Sequence, residues 1–155
     1  LNVQEDIEEE KLCEKEKYAN IQTLNQGGRI MINALTMNIW GKEFRLDVEF
    51  ENEEGEELLL NQIRAFRKFS ELKDLPECLE DVKQYCLRKS FRYIKGKEID
   101  DIFTLVYPLK LYIVRSETRR EVILLCQYRY DMENGVAIDF VDEELFKIGN
   151  RHMIA

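Results

Sequence analysis

The stretch YDMENGVAIDF, residues 130–140, comes nearest to a chemical site by residue type and spacing. Asp131, Glu133, Asn134 and Asp139 offer side-chain oxygens to a hard cation, so one reading is a hydrolase or metal-dependent enzyme using the Asp131–Glu133–Asp139 turn. A calcium loop, however, wants its ligands more densely spaced than this. The same Asp and Asn residues are also turn formers that bond their own backbone, and that plainer reading outweighs the metal one. Other signals for catalysis are thin. His152 is the one histidine in the chain, and a Cys–His couple would need it folded back beside Cys126. No serine has a nucleophile-elbow setting, and Asn25-Gln26-Gly27-Gly28 is too short to cradle a phosphate. A glycosidase pair could be drawn from so many acids that the idea has no specificity. No catalytic residue, metal ligand or cofactor is assigned.

Charge points elsewhere. Net charge is −8 over 155 residues, which argues against nucleic-acid backbone as a partner. The charge is uneven: residues 43–57 hold eight acids and one base, and residues 131–144 hold six acids and no base. Residues 61–97 reverse this with ten bases and five acids, and a nucleic-acid-associated role for that segment is the third reading. An acidic surface that attracts a basic protein is the sharper inference, against the background of ordinary solvated faces.

The elements that would position these groups follow from periodicity. In NALTMNIWGKEFRLDVEF, residues 33–50, apolar side chains alternate on both sides of Gly41-Lys42. With those two residues as the turn, Ile39 faces Phe44, Met37 faces Leu46 and Leu35 faces Val48, pairs that a one-residue slip would destroy. A helix is expected over 56–70, with Leu59, Ile63 and Phe66 on one stripe. Another should open at the Asp74-Leu75-Pro76-Glu77 capping box and carry Leu75, Leu79, Val82 and Cys86. A shorter helical turn fits 98–105. LKLYIV (109–114), EVILLCQYRY (121–130) and VAIDFV (136–141) read as a meander. A three-residue loop at Glu133-Asn134-Gly135 gives Tyr128–Phe140, Tyr130–Ile138 and an Arg129–Asp139 ion pair, with Gly135 in the left-handed region.

The expectation is therefore an α+β domain over residues 29–155, with a charged N-terminal arm over 1–28 for which a helix is one form. The domain is an antiparallel sheet of about five strands, built as hairpin, two to three helices and three-stranded meander, with helices on one face. Parallel pairing is open where the connection between strands two and three is long. Cys13, Cys78, Cys86 and Cys126 lack zinc spacing and a dense disulfide frame, so they read as small buried hydrophobes in a reducing cytoplasm. No apolar run is long enough to span a bilayer. The start at Leu1 leaves room for residues upstream. On the sheet face away from the helices, Trp40 stands with Thr36, Asn38, Arg45, Asp47, Glu49 and Tyr112. That face needs covering by the arm, by a second copy in a homodimer, or by another protein.

LTMNIWGKEFRLDVEFE, YCL in a helix, then YDMENGVAIDF and FKIGNRHMI resemble a family of small bacterial proteins with a W-G-K-x-F hairpin and no assigned activity. The resemblance covers roughly residues 33–154 and implies a bacterial, cytoplasmic setting. Members commonly carry His where this chain has Asn134, so a role for that histidine does not transfer. By analogy the acidic, site-poor chain is similar to immunity proteins that neutralise toxins. The sequence reading is a non-enzymatic binding domain for a basic protein, with Trp40, Arg45, Asp47, Glu49, Tyr112, Asp131, Glu133 and Asn134 as candidate contacts.

Overall fold

A computed structural model describes residues 30–154. The arm expected over 1–28, with Cys13, lies outside the described residues. Strand β1 (Ile30–Ile39) turns back as β2 (Lys42–Phe50), and the chain then forms helices α1 (Leu60–Ser70) and α2 (Leu79–Ser90). Short 3-10 turns at Lys95–Lys97 and Ile102–Thr104 lead into β3 (Val106–Ile113), β4 (Glu121–Tyr128), β5 (Val136–Val141) and β6 (Glu144–Gly149), and a last 3-10 turn is Arg151–Ile154. The strands lie in sequence order in one sheet.

The sheet has six strands and is mixed, which corrects the five-stranded antiparallel expectation: β2 and β3 run parallel, with Asp47 opposite Lys110 and Phe50 opposite Ile113. A parallel pair needs a crossover, and both helices sit in it. The missed strand is β6. It follows a turn at Asp142-Glu143, both at positive φ (49° and 65°), and no glycine or asparagine announces that turn. Arg120 holds it: Nε and Nη2 donate to the Glu143 carboxylate at 2.9 and 3.1 Å, and the Arg120 N–H donates to Asp142 Oδ1 at 3.1 Å. A bulge between Asp139 and Phe140 then breaks the alternation of the new strand.

Alternation packs one face of the sheet against the helices. Met37, Ile39, Phe44, Leu46, Val48, Phe50, Leu111, Ile113, Leu124, Ile138 and Phe140 are buried with Ile63, Phe66 and Phe69 of α1 and Val82 and Cys86 of α2. Ring contacts fix the layer spacing: Phe66 meets Phe50 at 5.8 Å and Phe69 meets Phe140 at 5.5 Å. Buried Gln62 serves the start of α1, its Oε1 accepting from the Leu59 N–H at 3.0 Å and its Nε2 donating to the Glu51 carbonyl at 2.7 Å. Acids in the first turn of α2 and bases in its last suit the helix dipole.

Three local expectations shift. The first hairpin turns on Trp40-Gly41 rather than Gly41-Lys42, so Met37 faces Phe44, Leu35 faces Leu46 and Ile39 faces Lys42. Both turn residues have positive φ (52° and 84°), the mirror-type turn whose twist matches the flanking strands. The change moves each partner by two residues, so every side chain keeps its face. Helix α2 begins at Leu79, beyond the Asp74 capping box. Residues 73–75 instead line the outer edge of β1, where the Asn38 N–H donates to the Lys73 carbonyl at 3.1 Å and the Leu75 N–H to the Asn38 carbonyl at 2.9 Å. Finally, β4 and β5 pair Cys126 with Val136, Leu124 with Ile138 and Val122 with Phe140. Residues 129–135 thus form a wide loop, and the expected Arg129–Asp139 pair is absent because Asp139 lies opposite Ile123. Gly135 does take the left-handed conformation (φ 62°).

Candidate functional site

The expected contact residues separate into three places. Arg45 and Asp47 are exposed on the sheet face away from the helices. On the same face Glu49 is nearly buried and pairs with Lys110 Nζ at 3.3 Å. Tyr112 is half-buried against the small cluster of Ile123, Leu125 and Ala137, beside Val114 and Met153. Trp40 is not among them. It occupies the hairpin turn and packs against the core that the helices cover, its ring 5.8 Å from Phe103. Its indole N–H is buried without a well-formed hydrogen bond, and the Cys78 thiol is the polar group interacting with it.

The third place is the 131–134 turn, which is bonded to itself. Asp131 Oδ1 accepts from the Asn134 backbone N–H and Oδ2 from its side-chain Nδ2, each at 3.1 Å. Glu133 is exposed and Asp139 lies within β5. Among the described residues no group of three or more His, Cys, Asp or Glu side chains could hold a metal ion, so the turn does not gather Asp131, Glu133 and Asp139. Nor are the thiols nucleophiles: burial pushes Cys78 up to about 12, Cys86 up to about 11 and Cys126 higher still. All three are free cysteines in the core, as small hydrophobes. His152 is exposed in the last 3-10 turn.

Asp139 is the most deeply buried acid among the described residues. It is fully buried, and no N–H or O–H among the described residues donates to either of its oxygens. The Glu121 carboxyl, one register step along on β4, lies against it, and Glu121 pairs with Arg119 Nη2 at 3.0 Å. Two carboxyls in contact, with the guanidinium committed to Glu121, leave a proton on Asp139. Burial first, and then the bond and charge of Glu121, push Asp139 up to about 8 despite the opposing charges of Lys147 and Arg119.

A concave feature lies at the end of the sheet that carries the Trp40 turn. A cavity of roughly 530 Å³ is bounded by Tyr93, Glu98, Asp100, Asp101, Arg129 and Tyr130. Glu98, Ile99 and Asp100 also wall a second, of roughly 330 Å³, against α2. Thr104, Leu105 and Arg129 also wall a third, of roughly 300 Å³, with Phe103, Tyr107 and Met132. The three form one open groove along residues 93–107. Its walls are fixed. Tyr93 stacks on Tyr130 at 5.2 Å, the Tyr130 hydroxyl donates to the Tyr93 carbonyl at 3.2 Å, and the Arg129 N–H donates to the Leu105 carbonyl at 2.8 Å. Asp101 caps the 3-10 turn through the Phe103 N–H at 2.9 Å. Phe103 in turn is wedged between Trp40 and Phe44. Tyr93, Tyr107 and Met132 are 65%, 47% and 61% exposed, so apolar surface stands in water where the groove runs.

A family model described as a domain of unknown function, DUF6985, matches residues 6–154. The chain belongs to that family. No curated protein and no solved structure matches it. The DUF6985 match begins within the segment expected to be an arm and runs through the whole sheet. In this DUF6985 chain no helix among the described residues is long and apolar enough to cross a membrane.

Sequence reasoning missed Tyr93, Phe103, Tyr107, Arg129 and Met132. The signal available was the run SFRYIKGKEIDDIF, residues 90–103, where aromatics with no helical or strand period surround a glycine and an acidic pair. Of these, Phe91 and Tyr93 stay exposed and belong to no buried stripe. Asp131 and Asn134, which were singled out, shape the loop carrying Tyr130 and Met132.

Proposed function

We propose that this domain binds another protein, without catalysis, through the acidic and aromatic groove at the Trp40 end of the sheet. One observation carries the reading: exposed Tyr93, Tyr107 and Met132 line the same row of cavities as the carboxylates of Glu98, Asp100 and Asp101. Large apolar side chains held in water beside a cluster of carboxylates are what a protein interface needs, an anchor with a polar rim. The net charge of −8 favours a basic partner. The most concrete form is an immunity-type inhibitor that masks the basic surface of a toxin or nuclease. A neighbouring gene encoding a toxin, neutralised on co-expression, would bear that form out.

Selection of binders from a displayed library of small folded domains tests the reading. Most binders should be basic, should weaken as salt rises, and should lose about tenfold or more in affinity to a Tyr93→Ala/Met132→Ala double variant. Binders whose affinities ignore that variant would place the docking surface elsewhere. The metal-dependent alternative has no ligand cluster behind it among the described residues, and calcium, magnesium and manganese titrations should produce no heat and no thermal shift.

A further inference from the structure

The groove has a direction. Cavities for small ligands enclose most of their occupant within apolar walls that carry a few convergent polar groups. Here three open cavities follow one another, each sharing a wall with the next. A chain of such cavities matches an extended polypeptide, whose successive side chains point to alternate sides and need alternate recesses.

Chemistry changes along the row. At one end are Glu80, Glu98 and Asp100 beside Lys83, Gln84 and Leu87. Among the described residues the Glu98 and Asp100 carboxylates make no ion pair, with Lys83, Lys95 and Arg129 nearby, and both are exposed at the groove. In the middle the Arg129 guanidinium lies over the Tyr130 ring, 5.9 Å from its centroid. It presents N–H donors where the carbonyls of a passing backbone would lie. At the other end Phe103, Leu105, Tyr107 and Met132 make an apolar recess.

Resting on the protein-binding reading, we infer that the groove takes an extended segment of its partner, with lysine or arginine beside Glu98 and Asp100 and a large apolar side chain in the Phe103–Tyr107–Met132 recess.

Four capped twelve-residue peptides test this: two lysines followed four residues later by two leucines, the reverse order, and both again with glutamine for lysine. Binding is read by amide shifts in the labelled protein and by fluorescence anisotropy. One lysine order should bind and move amides along residues 98–107 and 129–132. The Glu98→Gln/Asp100→Asn double variant should weaken it about tenfold while leaving the glutamine peptide of that order unchanged. Equal binding of lysine and glutamine peptides, or shifts confined to one cavity, would overturn the inference. If no peptide binds but a folded basic domain selected on the groove does, the extended occupant is wrong and the protein-binding reading stands. If neither binds there, both fall.

Discussion

Replacing Asp139 with asparagine should remove a pH-dependent penalty that the folded chain carries through neutrality. The wild-type carboxyl is buried against Glu121 and held protonated, pushed up to about 8 from an ordinary value near 3.8. Below about pH 4 the folded and unfolded chains both keep this proton, and the contribution to stability is greatest there. Between about 4 and 8 the unfolded chain has released the proton and the folded chain has not. Each pH unit then costs the fold about 1.4 kcal/mol. Above about 8 both forms are ionised and the loss is complete.

From pH 5.5 to 7.5 the loss amounts to about 3 kcal/mol, a large share of a domain stability of roughly 5–15 kcal/mol. Asparagine has nearly the same shape, does not titrate, and can donate its amide hydrogen to Glu121 where the carboxyl donated its proton. Urea unfolding of both proteins at three pH values gives the test as a difference of differences. That comparison cancels exposed His152 and the other shared groups that do not interact with Asp139, leaving the response of the Asp139–Glu121 pair. The variant should gain about 3 kcal/mol on wild type across the window. A gap that stays constant within about 0.5 kcal/mol, or closes as pH rises, would show that Asp139 does not hold its proton.

Two glycines at positive φ separate backbone strain from crowding. Gly41→Ala meets nothing within 4 Å and should cost only about 1 kcal/mol of conformational strain. Gly135→Ala would also drive its methyl into the Cys126 carbonyl and should cost about 2–4 kcal/mol. Equal losses in denaturant melts would discount the Cys126 contact. Gln62→Ala strips partners from the Leu59 N–H and the Glu51 carbonyl and should cost about 2 kcal/mol, with faster hydrogen exchange in the first turn of α1. Arg120→Ala takes the guanidinium away from Glu143, while the backbone bonds between residues 120 and 142 remain. It should cost about 1 kcal/mol, seen as faster exchange in β6 with β4 unchanged.

What could be read from the sequence was whatever depends on short-range counting. Alternation assigned the correct face to Met37, Ile39, Phe44, Leu46 and Val48 even though the turn centre was misplaced. A two-residue displacement conserves side-chain parity, so burial constrains the face strongly and the partner weakly. The same held for β4 and β5. Tyr128, Ile138 and Phe140 point inward as expected, while the loop widened to seven residues because Asp131 and Asn134 close on each other and Gly135 sits against Cys126. Strand β6 escaped notice for a different reason. Its turn is stabilised by Arg120, more than twenty residues upstream, and no local preference of Asp142 or Glu143 signals it.

The groove was hidden for that same cause on a larger scale. Residues 93–107 and 127–132, with α2 as a further wall, make it together, joined by the Arg129–Leu105 backbone bond and the Tyr93–Tyr130 stack. Neither segment has a period that marks it as half of a site. Three residues break the local rule of their surroundings: Asp139 within VAIDFV, Trp40 at positive φ, and Tyr93 in a polar loop. The fold answers each violation differently. Asp139 keeps a proton, and Trp40 is wedged against Phe103, which lines the third cavity. Tyr93 stays largely in water, stacked on Tyr130, with nothing else among the described residues to bury it. Of these three, only the last is left uncompensated among the described residues, and local departures of that kind concentrate where a protein has a task beyond its own stability. That is the physical reason for placing the partner at Tyr93 and not at the tryptophan.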